Sequence, residues 1–328
     1  MGKLKRILCL CFIALVTLMF ASQVMAGKTR LAFSGGPDGG TFQYFSNGMS
    51  SRLSKDLDNV EVSNMASAGS VENVRRVNSG DADFGIAYSG DTYLARNGRL
   101  PQDTRKYTNV DAISYLYGAP AHLVVLANSG INQVSDLEGK RVAVGGAGSG
   151  AAAAAQRYFT AIGLWDKMNV EFIGYSKAAS AIGDHLIDAM WVFAGFPNSA
   201  VIQAAASNSV KVLSTVDIGK KAGFFTEYPF YSEIIIPAGT YAGVDYDVKT
   251  FQDSALWIAR HKLNEQDVYN AVKDIYSPKG LSYLVKVKST AKAMSIQSAL
   301  TGIVTPVSPG AAKFWIENGL TLTDAQKN

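Results

Sequence analysis

The sequence is poor in the side chains that most often carry chemistry. Its 328 residues include two cysteines, at 9 and 11, and three histidines, at 122, 185 and 261. That excludes a zinc cluster, which needs several such ligands at close spacing. Charged residues are only 18% of the chain and hydrophobic ones 48%, the reverse of what a disordered chain needs. No dense basic stripe marks a nucleic-acid binder. Neither H-E-x-x-H nor G-x-S-x-G occurs, and no cysteine is placed as a nucleophile, so the residues assign no catalytic group, metal or cofactor. His122 reads as a structural histidine in a hinge strand and His185 as exposed on a helix. Asp81, Asp83 and Asp188 read as turn and strand-entry residues.

Long apolar runs are also scarce, and the one present stands at the start. Lys3, Lys5 and Arg6 precede the apolar stretch Ile7 to Ala21, and Val24-Met25-Ala26 follows as a small-residue cleavage site. This is the pattern of a secretory signal peptide over residues 1–26, cut after Ala26. A membrane anchor, the alternative, needs about 20 apolar residues. The context is neither that of a lipoprotein nor that of a twin-arginine signal. Removing 26 residues from 328 leaves 302; three basic residues and both cysteines go with them, so the net charge falls from +4 to +1.

What remains alternates short β-branched runs with amphipathic stretches, the pattern of an α/β fold with largely parallel strands, and it does so twice. Strand residues 30–33 lead into Gly35-Gly36-Pro37-Asp38-Gly39-Gly40 and a helix from Thr41 to Lys55. A strand over Val60–Met65 then leads to Ser67–Ser70, a helix with Val71, Val74 and Val77, and a strand over Phe84–Tyr88. The second unit repeats the order: a strand over Lys140–Val144, Gly145 to Gly150, a helix over Ala151–Leu164, a strand over Val170–Tyr175, a helix, and a strand over Met190–Phe193. Gly35 to Asp81 spans 46 residues and Gly145 to Asp188 spans 43. Two such units imply two lobes with a cleft between them, each a mixed, mostly parallel sheet flanked by helices. The expected lobes are 27–120 with 235–328, and 121–234. Tyr115–Ala127 and Tyr228–Ile236 are the expected hinges, with Ile234-Ile235-Ile236 a buried strand. Helices are expected near Thr250–His261, Glu265–Ile275 and Ala311–Asn318.

Ligands of open parallel sheets bind beyond the carboxyl ends of the strands. That nominates the loops at 35–41, 67–71 and 88–90 in one lobe and 145–151, 176–178 and 194–198 in the other. Helices opening at Thr41 and Ala151 would offer unpaired N–H groups and a partial positive charge to a carboxylate or phosphate. The aromatics Phe42, Tyr44, Tyr88, Phe193, Phe196 and Tyr231 lie near these loops and suit either a ligand or the core. Gly146 to Ala151 also fits G-x-G-x-x-A, with Glu171 about where a ribose-binding acid falls; a dinucleotide-binding oxidoreductase is the rival. Against it, Glu171 is expected inside its strand.

Gly39-Gly40-Thr41-Phe42, Gly69-Ser70-Val71-Glu72-Asn73, Gly80-Asp81-Ala82-Asp83, Asp136-Leu137-Glu138-Gly139-Lys140, Pro237-Ala238-Gly239-Thr240-Tyr241 and Pro306-Val307-Ser308-Pro309-Gly310-Ala311 stand in that order. Together they resemble the TAXI family of solute-binding proteins that serve TRAP transporters. The resemblance implies a periplasmic binding protein of the type II-like, two-lobed architecture, monomeric and not an enzyme, closing by a hinge on a small organic anion and delivering it to TRAP permease subunits. It points to glutamate and 2-oxoglutarate-like C5 dicarboxylates. By the matching motifs Gly40, Thr41, Ser70, Val71, Ser149 and Gly150 would touch the ligand, and Phe42, Tyr44, Tyr88, Ala151, Phe193, Gly195 and Pro197 complete the expected site. Ala151 stands where the family usually has threonine, and Tyr88 where it often has glutamine; both make the site less polar. A periplasmic sensor for a signalling kinase would share the fold and pocket. An exported form is expected to begin at Gly27, which N-terminal sequencing of the secreted protein checks; an intact Met1 would contradict it.

Overall fold

The computed structural model describes residues 28–100 and 103–327. The expected signal peptide and its cleavage point lie outside the described residues.

The first unit runs β1 (Thr29–Ser34), α1 (Thr41–Asp56), β2 (Val60–Met65), α2 (Ser70–Ser79), β3 (Phe84–Tyr88) and α3 (Ser89–Arg96). A 17-residue strand, β4 (Val110–Leu126), leaves it. The second unit is β5 (Arg141–Ala143), α4 (Gly150–Ala161), β6 (Asn169–Glu171), α5 (Tyr175–Gly183), β7 (Ala189–Phe193) and α6 (Ser199–Ser207). There follow β8 (Val210–Leu213), α7 (Val216–Lys221), α8 (Phe224–Glu227), β9 (Ser232–Ile236) and β10 (Val248–Arg260). Helices α9 (Glu265–Ile275), α10 (Pro278–Val287) and α11 (Pro309–Glu317) end the chain. Their starts have local causes. Asn264 and Ser277 accept backbone N–H bonds as N-caps, and Pro278 and Pro309 open their helices where no N–H bond is lost.

Strand pairing makes the repeat physical. In each unit three parallel strands lie in the order second, first, third: β2-β1-β3 and β6-β5-β7. Antiparallel pairing enters through the long strands. β4 pairs with β10 over Val110–Pro120 and with β7 and β8 over Ala121–Leu126. It changes partners, and so passes from one half to the other, between Pro120 and Ala121. The return crossing is β10, whose start pairs with β9 and whose end, Ala255 to Ala259, pairs with β3. Each half contributes an aromatic group to one continuous buried core: Phe33, Phe84 and Trp257 from the first, Tyr158, Trp191, Phe193, Phe224 and Phe251 from the second.

Four local expectations are corrected. The helix expected over Thr250–His261 is strand β10. Phe251, Ala255 and Ile258 mimic helical spacing, but a strand buried on both faces reads as a near-continuous apolar run. Tyr228–Ile236 does not return the chain; it ends in β9, an edge strand on β10. Ile235 there is 49% exposed, so the triple isoleucine is not buried throughout. The strand expected over Val170–Tyr175 stops at Glu171, and Tyr175 opens α5. Glu171 therefore ends its strand and is exposed, so its position is no objection to a dinucleotide.

One buried side chain ties the first unit's loops together. Asn73 on α2 donates to the carbonyls of Gly35 (2.6 Å) and Ile86 (2.7 Å) and accepts from the Ser34 hydroxyl (2.6 Å). Beside it the Glu72 carboxylate accepts from the Ala68 N–H at 2.6 Å and pairs with Arg76. Asn73→Ala removes three buried hydrogen bonds at once, each with a net worth of about 0.5–1.5 kcal/mol, while the Gly35 carbonyl keeps the Ser67 hydroxyl as a partner. It is expected to lower the urea midpoint by the equivalent of at least about 2 kcal/mol with an unchanged denaturant slope; a wild-type midpoint would contradict this role.

Candidate functional site

A strand order of second, first, third creates a switch point in each unit, because the chain leaves β1 to one side for β2 and to the other for β3. Ligands of such sheets sit outside the strand ends at that point. Here the four loops at both switch points line a single cavity between the halves. From the first unit come Pro37 and Gly40 after β1, and Tyr88 at the end of β3; from the second come Ser149 after β5, and Ala194 after β7. Four helix N-termini close around it: Thr41 and Phe42 of α1, Gly69 and Ser70 of α2, Gly150 and Ala151 of α4, and Tyr175 of α5.

The polar groups at the cavity are donors. The Ser70 hydroxyl accepts the Tyr88 N–H at 2.8 Å, and the Ser149 hydroxyl accepts the Ala152 N–H at 3.0 Å. With its oxygen so engaged, each hydroxyl keeps its proton for a further acceptor. Thr41 Oγ1 is buried and lies against the Tyr117 hydroxyl. Among the described residues, no charged side chain lines the cavity. Aromatic rings complete the lining. The Tyr88 ring packs 4.9 Å from Phe42 of its own half and 5.0 Å from Phe193 across the cleft. The hydroxyls of Tyr88 and Tyr175 both donate to the Phe193 carbonyl, the latter at 3.0 Å. Burial pushes the Tyr88 hydroxyl well above its ordinary range, so it stays protonated.

The cavity measures only about 20 Å³, room for one water. The halves meet closely around it. A Cβ on Gly150 would come within 2.5 Å of both Ser70 Cβ and Asp91 Oδ2 and 2.7 Å of Tyr88 Cδ2, so only glycine permits this approach of α4 to α2. At the rim, Ser199 donates to the Gly39 carbonyl at 2.9 Å and Lys288 to the Pro197 carbonyl at 3.1 Å.

Behind Gly150 lies a buried charge cluster. Arg157 of α4 donates to Asp91 of α3 at 2.7 Å and to the Tyr231 hydroxyl at 2.8 Å. Burial opposes the charge on Arg157, but Tyr231 and Asp91 outweigh it and hold the guanidinium protonated. Asp253, in β10, accepts from the N–H groups of Gly90 (3.1 Å) and Ser254 (2.7 Å). Burial, and then the Asp91 carboxylate, push Asp253 well above the ordinary carboxylate range.

Of the expected site residues, Gly40, Thr41, Phe42, Ser70, Tyr88, Ser149, Gly150, Ala151 and Phe193 come together at the cavity. Four do not. Tyr44 is 39% exposed under the Lys288 ammonium. Val71 faces an outer groove between α2 and α4 with Arg75 and Phe172. Gly195 packs against Tyr117 and Thr290, and Pro197 follows a cis peptide at the rim. Sequence reasoning missed Tyr175, placed in a strand, and the Asp91–Arg157 pair, which carries no local signal. Among the expected structural residues, the Asp83 carboxylate accepts from the Ala32 N–H and Arg260, and Asp188 from the Arg141 N–H and guanidinium. His122 is buried, bonded to the Tyr241 hydroxyl at 2.9 Å, and burial pulls it down to about 4; His185 is exposed.

A family profile described as "NMT1-like family" matches residues 33–319. The chain belongs to the NMT1-like family. Its fold is that of two-lobed periplasmic solute-binding proteins. It is similar to MatC of Rhodopseudomonas palustris with bound malate at 16% identity and a TM-score of 0.52, over 88% of this chain and 96% of that one. A substrate-binding protein of an amino acid ABC transporter matches at 13% identity and TM-score 0.51, over 81% and 100%. The alkanesulfonate-binding protein SsuA of Xanthomonas axonopodis pv. citri, bound to MOPS, matches at 13% and 0.50, over 89% and 91%.

The charge cluster sets a pH dependence. Above about pH 4 an unfolded aspartate loses its proton while folded Asp253 keeps it, so its contribution to stability falls as pH rises. The stability of Asp253→Asn relative to wild type is therefore expected to climb from about pH 4 towards neutrality, by up to about 1.4 kcal/mol per pH unit. Urea denaturation across that range checks this; a constant difference would contradict a protonated Asp253.

Proposed function

We propose that this NMT1-like protein is a periplasmic solute-binding receptor of a TRAP transporter, not an enzyme, that takes a small carboxylate between its two halves and delivers it to the permease. One observation carries the carboxylate: three hydroxyl groups able to donate, those of Thr41, Ser70 and Ser149, converge with four helix N-termini on one cavity lined by no charged side chain. Donors without an opposing acceptor suit an anion. Each helix end contributes about 0.3–1 kcal/mol when exposed and up to about 2 when partly buried. A metal cation or a sugar, which needs acceptors, finds few.

The mechanism is capture by closure. The dividing line runs through Pro120/Ala121 of β4 and near Gln252 of β10, and bending there separates the donors of α1 and α2 from those of α4 and α5. An anion held by both sets favours the closed state, because only then are all the donors satisfied. The ligands carried by MatC and by the alkanesulfonate-binding protein are organic anions too, which supports the class. The TAXI resemblance extends it to glutamate and 2-oxoglutarate-like C5 dicarboxylates. It also carries the permease assignment; export rests on the signal-peptide pattern of residues 1–26, and a monomer is expected.

A thermal-shift panel of organic acids, amino acids, phosphosugars and metal ions tests the reading. At about 100 times its dissociation constant the right carboxylate is expected to stabilise by about 2.7 kcal/mol, a rise of several degrees in Tm. A shift produced only by phosphosugars or cations would overturn it.

A further inference from the structure

We propose that the outer groove between α2 and α4 is a second binding site, separate from the cleft cavity, and that it takes a small aromatic carboxylate. The groove measures about 510 Å³, inside the range of about 300–1,000 Å³ that small-molecule sites occupy. Its form follows from helical spacing. Ser149, the N-cap of α4, stands at i, i+3, i+4 and i+7 spacing with Ala152, Ala153 and Gln156, so these four share one face of that helix. Val71 and Arg75 stand at i and i+4 on α2 opposite them. Ala152 and Ala153 carry nothing beyond Cβ, and a Cβ on Gly148 would meet no atom within 4 Å. The floor of the groove is therefore low, and the space above it is open.

Two kinds of group line this space. From the second unit come Trp165 and Phe172, packed edge to face with ring centroids 6.5 Å apart. Phe172 is 51% exposed, a large apolar ring left in water beside a half-buried tryptophan. From the first unit comes Arg75, the one charged side chain in the lining among the described residues. Its charge is not cancelled where it stands. Arg75 donates to Asp103 at 3.0 Å and lies against the Tyr107 hydroxyl. The same carboxylate is already held through both oxygens by Arg105, at 2.9 Å each. Two guanidinium groups on one carboxylate leave one positive charge over. The Arg75 side chain is 39% exposed, and a guanidinium has five N–H donors, more than these partners use. An aromatic acid satisfies both features at once: its ring packs on Trp165 and Phe172, and its carboxylate pairs with Arg75. An aliphatic acid leaves the aromatic wall in water, and a neutral aromatic leaves the arginine without its counter-charge.

Trp165 reports on this groove, because the other three tryptophans, Trp191, Trp257 and Trp315, are fully buried. Benzoate, phenylacetate and their neutral amides are titrated into wild-type protein, Arg75→Gln, Phe172→Ser and Trp165→Phe, with tryptophan emission and calorimetry as readouts. The better acid is expected to bind and to change the emission, and its amide to bind at least about tenfold more weakly. Arg75→Gln is expected to weaken the acid by about tenfold or more and to remove its advantage over the amide. Phe172→Ser is expected to weaken it by about threefold or more. Trp165→Phe is expected to lose the emission change while calorimetric binding stays within about threefold. If Arg75→Gln does not fold, as judged by its melting transition, the exposed Phe172→Ser position and the comparison of acid with amide carry the test. Amides that bind as tightly as the acids overturn the anion assignment. Arg75→Gln and Phe172→Ser that both bind like wild type place the acids elsewhere and overturn the site. Folded wild-type protein that binds neither acid at millimolar concentration overturns it as well. Arg75 and Phe172 do not line the cleft cavity, so the carboxylate reading there stands or falls separately.

Discussion

The closed arrangement of the molecule depends on one buried ion pair between its halves. Arg157 projects from α4 of the second unit and meets Asp91 at the start of α3 of the first. Both are almost fully buried, so neither charge is stabilised by water, and each needs the other. A pair of this kind contributes little net stability, but losing one member is expensive, about 3–5 kcal/mol. Its effect is therefore on specificity of arrangement: it fixes where α4 lies against the first half. Tyr231 and the ring of Phe230 steady the guanidinium. With α4 so placed, Gly150 can touch Ser70, and the N-termini of α2 and α4 come to face the same small cavity. Moving α4 away would expose both charges to water, which lowers the cost of opening and makes a two-state cleft physically reasonable.

The cavity itself shows how an anion site can be built without a lysine or arginine. Chain reversal at each switch point aims helix N-termini outward, and two copies of the topology aim them at each other. Serine and threonine hydroxyls add directed donors. Aromatic rings fill the space around these donors and exclude water, which strengthens the remaining polar contacts. Binding of this kind depends on geometry more than on overall charge, in keeping with a chain whose expected exported form carries a net charge near +1.

Much of this was legible in the sequence because it is local. Phe42, Phe45, Met49 and Leu53 recur at helical spacing, and Gly39-Gly40-Thr41 and Ser149-Gly150 mark strand-to-helix turns; the structure puts α1 and α4 there. The repeat could be read from spacing alone because each unit is a contiguous segment. What could not be read is non-local. Arg157 and Asp91 are 66 residues apart, and nothing near either signals the other. β10 looked helical because burial on both faces erases the alternation that marks a half-exposed strand. Tyr175 looked like the end of a strand because Phe172 and Ile173 continue the apolar run after Glu171. The wide placing of Tyr44, Gly195 and Pro197 has the same origin: a loop can be assigned to a cleft from sequence, but which of its side chains turns inward is decided by the other half.

Capture by closure makes a direct demand on distance. Spin labels on Lys55→Cys in α1 and Lys177→Cys in α5, both exposed and on opposite halves, report the separation by electron–electron resonance. Two separations are expected without ligand, the shorter corresponding to the closed arrangement. A saturating carboxylate is expected to leave only the shorter one, while its uncharged amide changes nothing. A distribution identical with and without saturating carboxylate, or one that the amide shifts equally, would contradict an anion held between the halves.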